Sequence, residues 1–247
     1  MPGGRLLEVL DEAARAVRRV LDGLDDWGLA GTRPGQYHSD LVADAAAVEV
    51  LVGHGMGVLS EESGLHYPDR EVLVVLDPVD GSTNASRGIP WFATSLCALD
   101  GAGPLAALVV NQATGTRWEA VRGDGARRDG DVIGPSGCSE MAEAVVGLSG
   151  LPPRHLGWRQ FRALGAAALD LCAVAGGMLD AFIDCSVDAH GPWDYLGGLL
   201  VCREAGAVVA DLDGRELVVR TPLIRRTVVA AATPPLLAQA LAARSAG

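Results

Sequence analysis

The sequence predicts an α+β protein, with a mostly antiparallel sheet in the N-terminal half and an α/β arrangement in the C-terminal half. Three observations support this. Apolar residues recur at helical spacing near the start, strand-like runs separated by turn residues follow, and strands alternate with helices after about residue 138. We therefore expect two halves, 1–138 and 139–247. The 247 residues suffice for one large domain or two modest ones.

The first two elements are predicted to be helices. Apolar residues within 6–24 recur at three- and four-residue steps, which is typical of an amphipathic helix. A polar link with glycine and proline interrupts this pattern. Ser39 is predicted to cap a second helix, whose apolar face continues to Val52.

Short apolar runs bounded by turn residues predict the strands. In the first half they are 57–59, 72–76, 92–99, 105–110 and 117–121. In the second half the predicted strands are 144–148, 179–184, 207–210 and 227–231. The predicted helices between and after them are 165–175, 195–204 and 234–244.

Composition excludes several classes of protein. Hydrophobic residues make up 49% of the chain, which is typical of a globular protein, and no apolar run is long enough to cross a bilayer. The N-terminal segment mixes charges into its apolar positions, so we expect a helix there and not a signal peptide. The five cysteines are scattered and form no CxxC pair, which argues against a disulfide framework and a zinc ribbon. We therefore expect the protein in the reducing cytoplasm.

The charge pattern narrows the function further. The net charge is −11, and all 20 basic residues are arginine. An acidic chain without a basic run is a poor candidate for binding a nucleic-acid polymer. The absence of lysine from the sequence excludes a lysine Schiff base and a Walker-type phosphate loop.

Five carboxylates sit at the ends of predicted elements. Glu61 and Glu62 follow one short apolar strand, Asp77 and Asp80 follow another, and Asp194 starts an apolar, glycine-rich helix. Acids beside apolar segments are costly to bury unless they are paired or bound to a cation. Their oxygen ligands suit magnesium, so we predict a site for a hard cation.

The segment DPVDGST predicts how such a site is built. Pro78 restricts the backbone, so that both aspartates and the Val79 carbonyl can face one point. Gly81 and Ser82 then open a helix whose first amides can hold a phosphate. This combination indicates metal-assisted hydrolysis of a phosphate ester. The alternative is an ordinary Asp-Pro, Asp-Gly turn that ends a strand.

Three motifs resemble those of the inositol monophosphatase family, the magnesium-dependent, lithium-sensitive phosphatases related to fructose bisphosphatases. The segment EES at 61–63 resembles the family's Gly-Glu-Glu-Ser element. DPVDGSTN at 77–84 resembles its first signature, and WDYLGG at 193–198 resembles its second. The similarity extends from about Asp40 to the last helix. It implies a layered α-β-α-β-α sandwich and a homodimer.

The resemblance also implies roles for individual residues. Glu61, Asp77 and the Val79 carbonyl would hold one magnesium ion. Asp77, Asp80 and Asp194 would hold a second, and a third ion is left open. A metal-activated water would attack the phosphate, oriented by Glu61 and Ser82, without a phosphoenzyme. Asp77 counts with Glu61 and Ser82 as catalytic. The residues implied in binding a small phosphorylated metabolite are Asp80, Gly81, Ser82, Ala167, Asp184 and Asp194.

Several positions depart from the family pattern. Ser82 stands where threonine is usual, although the hydroxyl is kept. Ala43 and Ala46 replace a threonine and an aspartate, which weakens any third metal site. Ala166 replaces a serine or threonine. Asp184 aligns with an acid that contacts substrate in the family. The segment between Asp184 and Asp194 is longer than usual, and the role of this longer segment is left open.

Less specific interpretations apply to some residues. We expect His190 to be a solvated loop residue, and Trp91 and Trp193 to pack against the walls of the site. Ser82 has the alternative of simply capping a helix. Glu62 is equally compatible with a supporting contact or with solvent exposure.

Two other classes of function are considered. One is a non-catalytic family member that serves as a scaffold or binding module, which retention of every implied metal ligand argues against. The other is a haloacid-dehalogenase-type phosphatase, which requires an Asp-x-Asp pair and a lysine that this chain lacks. Among phosphatases, the sequence does not choose between inositol phosphates, sugar bisphosphates, nucleotide 3′-phosphates and histidinol phosphate.

Overall fold

The computed structural model describes residues 3–245, and its elements follow nearly the predicted order. The helices are α1 (Gly3–Asp22), α2 (His38–Gly53), α3 (Ser82–Ser86), α4 (Ala167–Ala175), α5 (Pro192–Ala205) and α6 (Pro234–Ser245), with a 3-10 turn at Met141–Glu143. The strands of the first half are β1 (Gly57–Ser60), β2 (Gly64–His66), β3 (Leu73–Asp80), β4 (Ala93–Asp100), β5 (Gly103–Asn111), β6 (Arg117–Val121), β7 (Ala126–Arg128) and β8 (Asp131–Val132). Those of the second half are β9 (Val145–Ser149), β10 (Gln160–Arg162), β11 (Ala181–Asp184), β12 (Val208–Asp211) and β13 (Val228–Ala231).

The first sheet has eight strands in the order β2-β1-β3-β4-β5-β6-β7-β8. All neighbours are antiparallel except β1 and β3, which are parallel. The exception arises because β2 folds back along the outer edge of β1 as a hairpin. The chain then returns on the other side of β1, in the same direction as β1. The predicted antiparallel character holds for the rest of this sheet.

The second sheet has five strands in the order β10-β9-β11-β13-β12 and is mixed. β9, β10 and β11 are parallel, and α4 provides the crossover to β11. β13 is antiparallel to both β11 and β12.

The elements stack in five layers, and three hydrophobic clusters lie between them. The first cluster joins α1 and α2 to one face of the large sheet, through residues such as Val74 and Leu76. The second lies between the opposite face of that sheet, α4, α5 and the small sheet, and includes Val75 and Phe182. The third joins the small sheet to α6. The α-β-α-β-α sandwich is thereby confirmed.

The two sheets divide the chain between Val132 and Val145. The cluster around α4 and α5 nevertheless includes residues of both halves. The boundary between 138 and 139 therefore stays a prediction about the chain's organisation, and the two parts share a core.

Some predicted details were wrong. The N-cap of α2 is Tyr37 and not Ser39, and the Tyr37 amide donates to the Asp40 carboxylate at 2.8 Å. Strands such as β2 and β10 were missed because they are three residues long and contain no buried residue, so they carry no apolar run. Of the helices within residues 3–245, none is long and apolar enough to cross a membrane.

Candidate functional site

Three carboxylates from two distant segments meet at one point. Asp77, Asp80 and Asp194 each place a carboxylate oxygen within 4.8 Å of the others. Asp77 and Asp80 are buried on β3, and Asp194 lies in the first turn of α5. The structure thus brings together three of the residues predicted to bind metal. We call them the acid cluster.

A bulge in β3 explains why two aspartates three residues apart can share one side of the strand. In a regular strand, residues at i and i+3 point to opposite faces. Here Asp77 pairs with Ser95 and Asp80 with Ala93, so β3 contains one more residue than β4 over this stretch. The Asp77 carboxylate accepts the Val79 amide at 3.0 Å and stabilises the bulge. β3 therefore continues through Asp80, whereas the sequence predicted that it ends at Leu76.

The start of α5 fixes the third acid. Pro192 occupies the first turn of α5. Proline has no backbone N–H, and none is needed here because an N–H at this position would have no acceptor inside the helix. The Gly191 amide donates to the Asp194 carboxylate at 2.6 Å. The positive end of the helix dipole also favours a carboxylate at this position.

Two glycines allow α5 to lie close to its neighbours. A Cβ atom added to Gly197 would lie 2.6 Å from the Ser95 hydroxyl oxygen, and one added to Gly198 would lie 2.5 Å from the Leu171 Cβ. Side chains at these positions would push α5 away from β4 and α4. The Gly-Gly pair of the second signature is therefore required for the helix that carries Asp194 to pack closely against β4 and α4.

Asp80 also ties α4 to the acid cluster. Its two carboxylate oxygens accept the amides of Ala167 at 3.2 Å and Ala168 at 2.7 Å, the first two amides of α4. Ala167 was predicted to contact substrate, and its amide already has a protein acceptor. That contact stays a prediction. Ala166, where the family has a hydroxyl, is the N-cap of α4 and is buried without a capping side chain.

Gly81 turns the chain from β3 into α3. It has a φ of 87° and is the N-cap residue, and Ser82 is the first residue of the helix. The alternative that Ser82 caps α3 is therefore wrong, because Gly81 holds that position. The first amides of a helix have no partner inside it, and Ser82 lines the cavity described below together with Glu61.

Replacing Gly81 with alanine is expected to destabilise the fold more than an equivalent change elsewhere. The left-handed backbone alone costs about 1–2 kcal/mol with a Cβ. At Gly81 the Cβ would also lie 3.1 Å from the carbonyl oxygens of Gly165 and Trp91, which adds a clash of about 1–3 kcal/mol. Gly88 is the matched control, since its φ is 68° and it has no neighbour within 4 Å. Equal losses of unfolding free energy in urea would contradict this account.

A cavity of about 430 Å³ opens beside the acid cluster. Its lining includes Glu61, Val79 and Ser82 from the two predicted motifs, and Trp193 next to Asp194. It also includes the buried Asp40, which the sequence analysis did not select. The volume lies within the range of small-molecule sites and leaves room for more than a phosphate group.

The acids of this region repel one another. Burial, then the charges of Glu61, Asp80 and Asp194, raise the pKa of Asp77 well above its ordinary value. Burial also raises the pKa of Asp80 and of Asp194. Burial and the nearby Asp194 raise the pKa of Glu61 to about 8. Among residues 3–245 these four acids form no ion pair with arginine, and hard divalent cations such as magnesium suit such an oxygen donor set.

The metal-free protein is expected to lose stability as the pH rises from about 4.5 to about 8. Glu61 has its pKa raised from 4.5 to about 8, so the folded state binds more protons than the unfolded state across this window. Each such proton lowers the unfolding free energy by up to about 1.4 kcal/mol per pH unit. His190 acts in the same direction, because its pKa is raised from 6.5 to about 9.

Chemical denaturation in a chelator at several pH values measures this slope. Saturating magnesium should flatten or reverse it, because a bound cation favours the charged carboxylates. A stability of the metal-free protein that rises steadily between pH 5 and pH 8 would contradict the account.

Glu62 has a supporting role at the cavity wall. Its carboxylate, with a side chain only 5% exposed, contacts the guanidinium of Arg33 and the amide of Gln36. Its own backbone amide donates to the Ser60 hydroxyl at 3.1 Å, and that hydroxyl in turn contacts the buried Asp44. This network orders the loop after β1, which carries Glu61.

His190 is buried and paired, so the expectation of a solvated loop residue was wrong. Its Nδ1 lies 2.8 Å from an Asp184 carboxylate oxygen. Burial alone would lower the pKa of His190, but the hydrogen bond to Asp184 and nearby acids raise it to about 9. The other Asp184 oxygen accepts the Ser186 amide at 2.9 Å. Asp184 therefore has protein partners on both oxygens, and its predicted contact to substrate stays a prediction.

The long segment between Asp184 and Asp194 is held against the strand region before β13. The backbones of His190 and Arg226 exchange hydrogen bonds at 2.9 and 3.2 Å. The Asp188 amide donates to the Thr227 hydroxyl at 3.0 Å, and its carboxylate pairs with Arg215. This pairing brings the neighbouring Arg225 over the ring of Trp193.

The two tryptophans pack as predicted, with polar contacts added. Trp193 is 5% exposed, and Trp91 donates its indole N–H to the Asp170 carboxylate at 2.9 Å. Burial raises the pKa of Asp170 to about 7.

Ala43 is fully buried among apolar residues, so it adds no polar group behind Glu61.

Comparison with known proteins gives extensive matches in both sequence and structure. The sequence model described as "Inositol monophosphatase family" matches residues 40–246. An inositol-1-monophosphatase of Mesorhizobium japonicum is 32% identical, over 97% of this chain and all of the relative. A fructose-1,6-bisphosphatase/inositol-1-monophosphatase of Archaeoglobus fulgidus is 33% identical, over 85% of this chain and 86% of the relative.

The structural match is equally extensive. A solved Pyrococcus horikoshii protein, described as having similarities to inositol-1 monophosphatase, superposes with a TM-score of 0.84 at 25% identity. The match covers 97% of this chain and 96% of the other. The relatives indicate a phosphatase, and the family match covers most of the chain. The chain therefore belongs to the inositol monophosphatase family.

Proposed function

We propose that this phosphatase is a magnesium-dependent phosphomonoesterase that hydrolyses a small, inositol-monophosphate-like ester by attack of water. One observation carries the proposal. Two separate signatures converge to bring the buried Asp77 and Asp80 and the partly buried Asp194 together without arginine partners among residues 3–245. Such an arrangement repels itself unless a cation or protons neutralise it.

The residues would divide between two ions. Glu61, Asp77 and the Val79 carbonyl would hold one, and Asp77, Asp80 and Asp194 the other. Bound magnesium would act as a Lewis acid on the phosphate and make a water molecule more acidic. The buried Ala43 supports two ions over three, since it offers no oxygen ligand.

The chain's own groups would position the reactants. The amides of the N-cap residue Gly81 and of Ser82, the first residue of α3, would donate to the phosphate oxygens. The Ser82 hydroxyl and the Glu61 carboxylate would orient the attacking water toward phosphorus. Both groups line the same cavity, which supports this assignment. The phosphoryl group would pass directly to water as the ester P–O bond breaks, and the alcohol would leave with a proton that the water supplies overall.

Two further assignments rest on the family resemblance alone. We propose that lithium occupies the second metal position after turnover and traps phosphate, and that the protein forms a homodimer. The cytoplasmic location stays a prediction, supported by the five free cysteines.

Phosphate release from a panel of esters tests the proposed function. The panel contains inositol 1-phosphate, fructose 1,6-bisphosphate, a nucleotide 3′-phosphate and histidinol phosphate, each with and without magnesium. We expect magnesium-dependent release of phosphate from at least one ester, and a lower rate of release at millimolar lithium. After an acid quench, no phosphate should be covalently bound to the protein. Absence of release from every ester would favour the non-catalytic alternative.

A further inference from the structure

Arg225 lines the cavity that contains Glu61 and Ser82, and its guanidinium keeps two nitrogens without a protein acceptor among residues 3–245. Its Nη1 donates to the backbone carbonyls of Pro222 at 2.7 Å and Ile224 at 3.3 Å. Its Nε and Nη2 groups have no protein acceptor among residues 3–245, and no carboxylate there lies within 4.0 Å of it. The Nε–Nη2 edge is one that binds carboxylate or phosphate through two parallel hydrogen bonds.

The guanidinium of Arg225 is also held in place. Its Cζ lies 4.8 Å from the centre of the Trp193 ring, and Trp193 is buried beside Asp194. Stacking on tryptophan is favourable for a cation. Together with the two backbone carbonyls, the ring fixes the guanidinium before any ligand arrives, so little side-chain entropy is lost on binding.

Other arginines near this region are already paired. Arg33, the second arginine of the cavity lining, contacts Glu62. Arg226 donates to backbone carbonyls of Glu216 and Arg225 and is 9% exposed. Among the described residues, Arg225 is therefore the arginine of this cavity lining that forms no ion pair with a carboxylate.

The charge of the cavity makes such an arginine consequential. Asp40, Glu61 and Glu62 line the same space, so an anionic substituent of a substrate would meet repulsion there. A fixed guanidinium at the cavity wall offsets that repulsion on one side. The volume of about 430 Å³ leaves room for a substrate with a second substituent beyond the reacting phosphate.

We propose that Arg225 binds a second anionic group of the substrate, a phosphate or a carboxylate, and so selects phosphate esters that carry two anionic groups. This inference rests on the proposed function and narrows it to a substrate class. Arg225 is a specificity-determining residue in this scheme, and the reacting phosphate is held elsewhere, by the acid cluster's cations and the start of α3.

Matched substrate pairs test the proposal. Fructose 1-phosphate and fructose 1,6-bisphosphate differ only in the second phosphate, and glycerol 1-phosphate and 3-phosphoglycerate differ in the carboxylate. In the unaltered protein, kcat/KM should be higher for the doubly anionic member of at least one pair. The pair that shows this identifies the group that Arg225 binds.

Arg225→Ala should then reduce that preference by about 10- to 100-fold, mainly through KM, because a charge-assisted bidentate contact is lost. Arg225→Lys should recover only part of it, since lysine keeps the charge but lacks the planar fork. Arg127→Ala, which removes an equal charge from β7, controls for the general electrostatic field and should leave the ratio unchanged.

Three results would overturn the proposal. The first is an equal loss of kcat/KM for both members of each pair in Arg225→Ala. The second is no change in kcat/KM for either member in that variant, and the third is no preference for the doubly anionic member in the unaltered protein. If no ester is hydrolysed at all, the proposed function fails separately. Calorimetry with calcium in place of magnesium then tests the inference. We expect fructose 1,6-bisphosphate to bind more tightly than fructose 1-phosphate, and we expect Arg225→Ala to abolish this difference. Equal binding would overturn it.

Discussion

Asp77→Asn is expected to reduce phosphate release by at least about 10³-fold and to weaken magnesium binding, while the fold stays intact. Asparagine has nearly the same shape, and its oxygen can still accept the Val79 amide that stabilises the bulge in β3. What is lost is the negative charge at the centre of the acid cluster. Because that charge is repelled by Glu61, Asp80 and Asp194, the metal-free variant should be at least as stable as the unaltered protein.

Magnesium calorimetry and steady-state kinetics measure both effects. Asp194→Asn should behave in the same way, although it changes a different element. Asp170→Asn is the matched control, because Asp170 is also buried but its known partner is Trp91. It should keep magnesium affinity within a few-fold. Normal magnesium binding and normal turnover in both Asp77→Asn and Asp194→Asn would refute the metal site.

Ser82→Ala is expected to reduce kcat by about 10²- to 10⁴-fold with little change in magnesium affinity. The proposed work of the hydroxyl is to orient the attacking water, and a positioned group of this kind contributes about that factor. The hydroxyl is not a metal ligand in this scheme. Since Gly81 occupies the N-cap of α3, removing the Ser82 hydroxyl should cost little stability.

Two variants separate catalysis from local structure. Ser82→Thr keeps the hydroxyl and should keep most of the activity. Ser86→Ala removes a hydroxyl from the same short helix, where it donates to the Thr83 carbonyl at 2.9 Å, and should leave kcat near normal. A Ser82→Ala variant with near-normal turnover would remove the catalytic role of this side chain.

The acids of the candidate site could be found from the sequence because each breaks an otherwise apolar pattern. Asp77, Asp80 and Asp194 follow or begin segments that are buried, where an unpaired charge is costly. The order of helices and strands was also visible, since most core elements carry a clear apolar period. Layer order came from the family resemblance and not from periodicity.

The rest of the site depends on contacts between distant parts of the chain. Asp40 is buried by tertiary packing, and nothing in its local sequence distinguishes it from an acid on a solvated helix face. Asp170 interrupts the apolar run of α4 and so carried the same signal as the other acids, but it was overlooked. Arg225 gains its position from the pairing of His190 with Arg226. His190 was misjudged for the same reason, because its partner Asp184 lies across a turn that the sequence does not specify.

Local backbone irregularities were equally invisible. The bulge in β3 is a matter of register against β4, which requires both strands to be in place. The start of α2 at Tyr37 was missed because Ser39 is the better capping residue by preference. The side chain of Tyr37 does not cap the first helical amides, and the carboxylate of Asp40 in the first turn accepts the backbone amide of Tyr37.

Diffraction from crystals grown with manganese would locate the proposed metal positions, because manganese accepts oxygen ligands as magnesium does and is visible by anomalous scattering. The account predicts one anomalous peak among the carboxylates of Asp77, Asp80 and Asp194, and a second between Asp77, Glu61 and the Val79 carbonyl. Manganese bound at full occupancy to acids on the surface, with no peak at the acid cluster, would contradict this prediction.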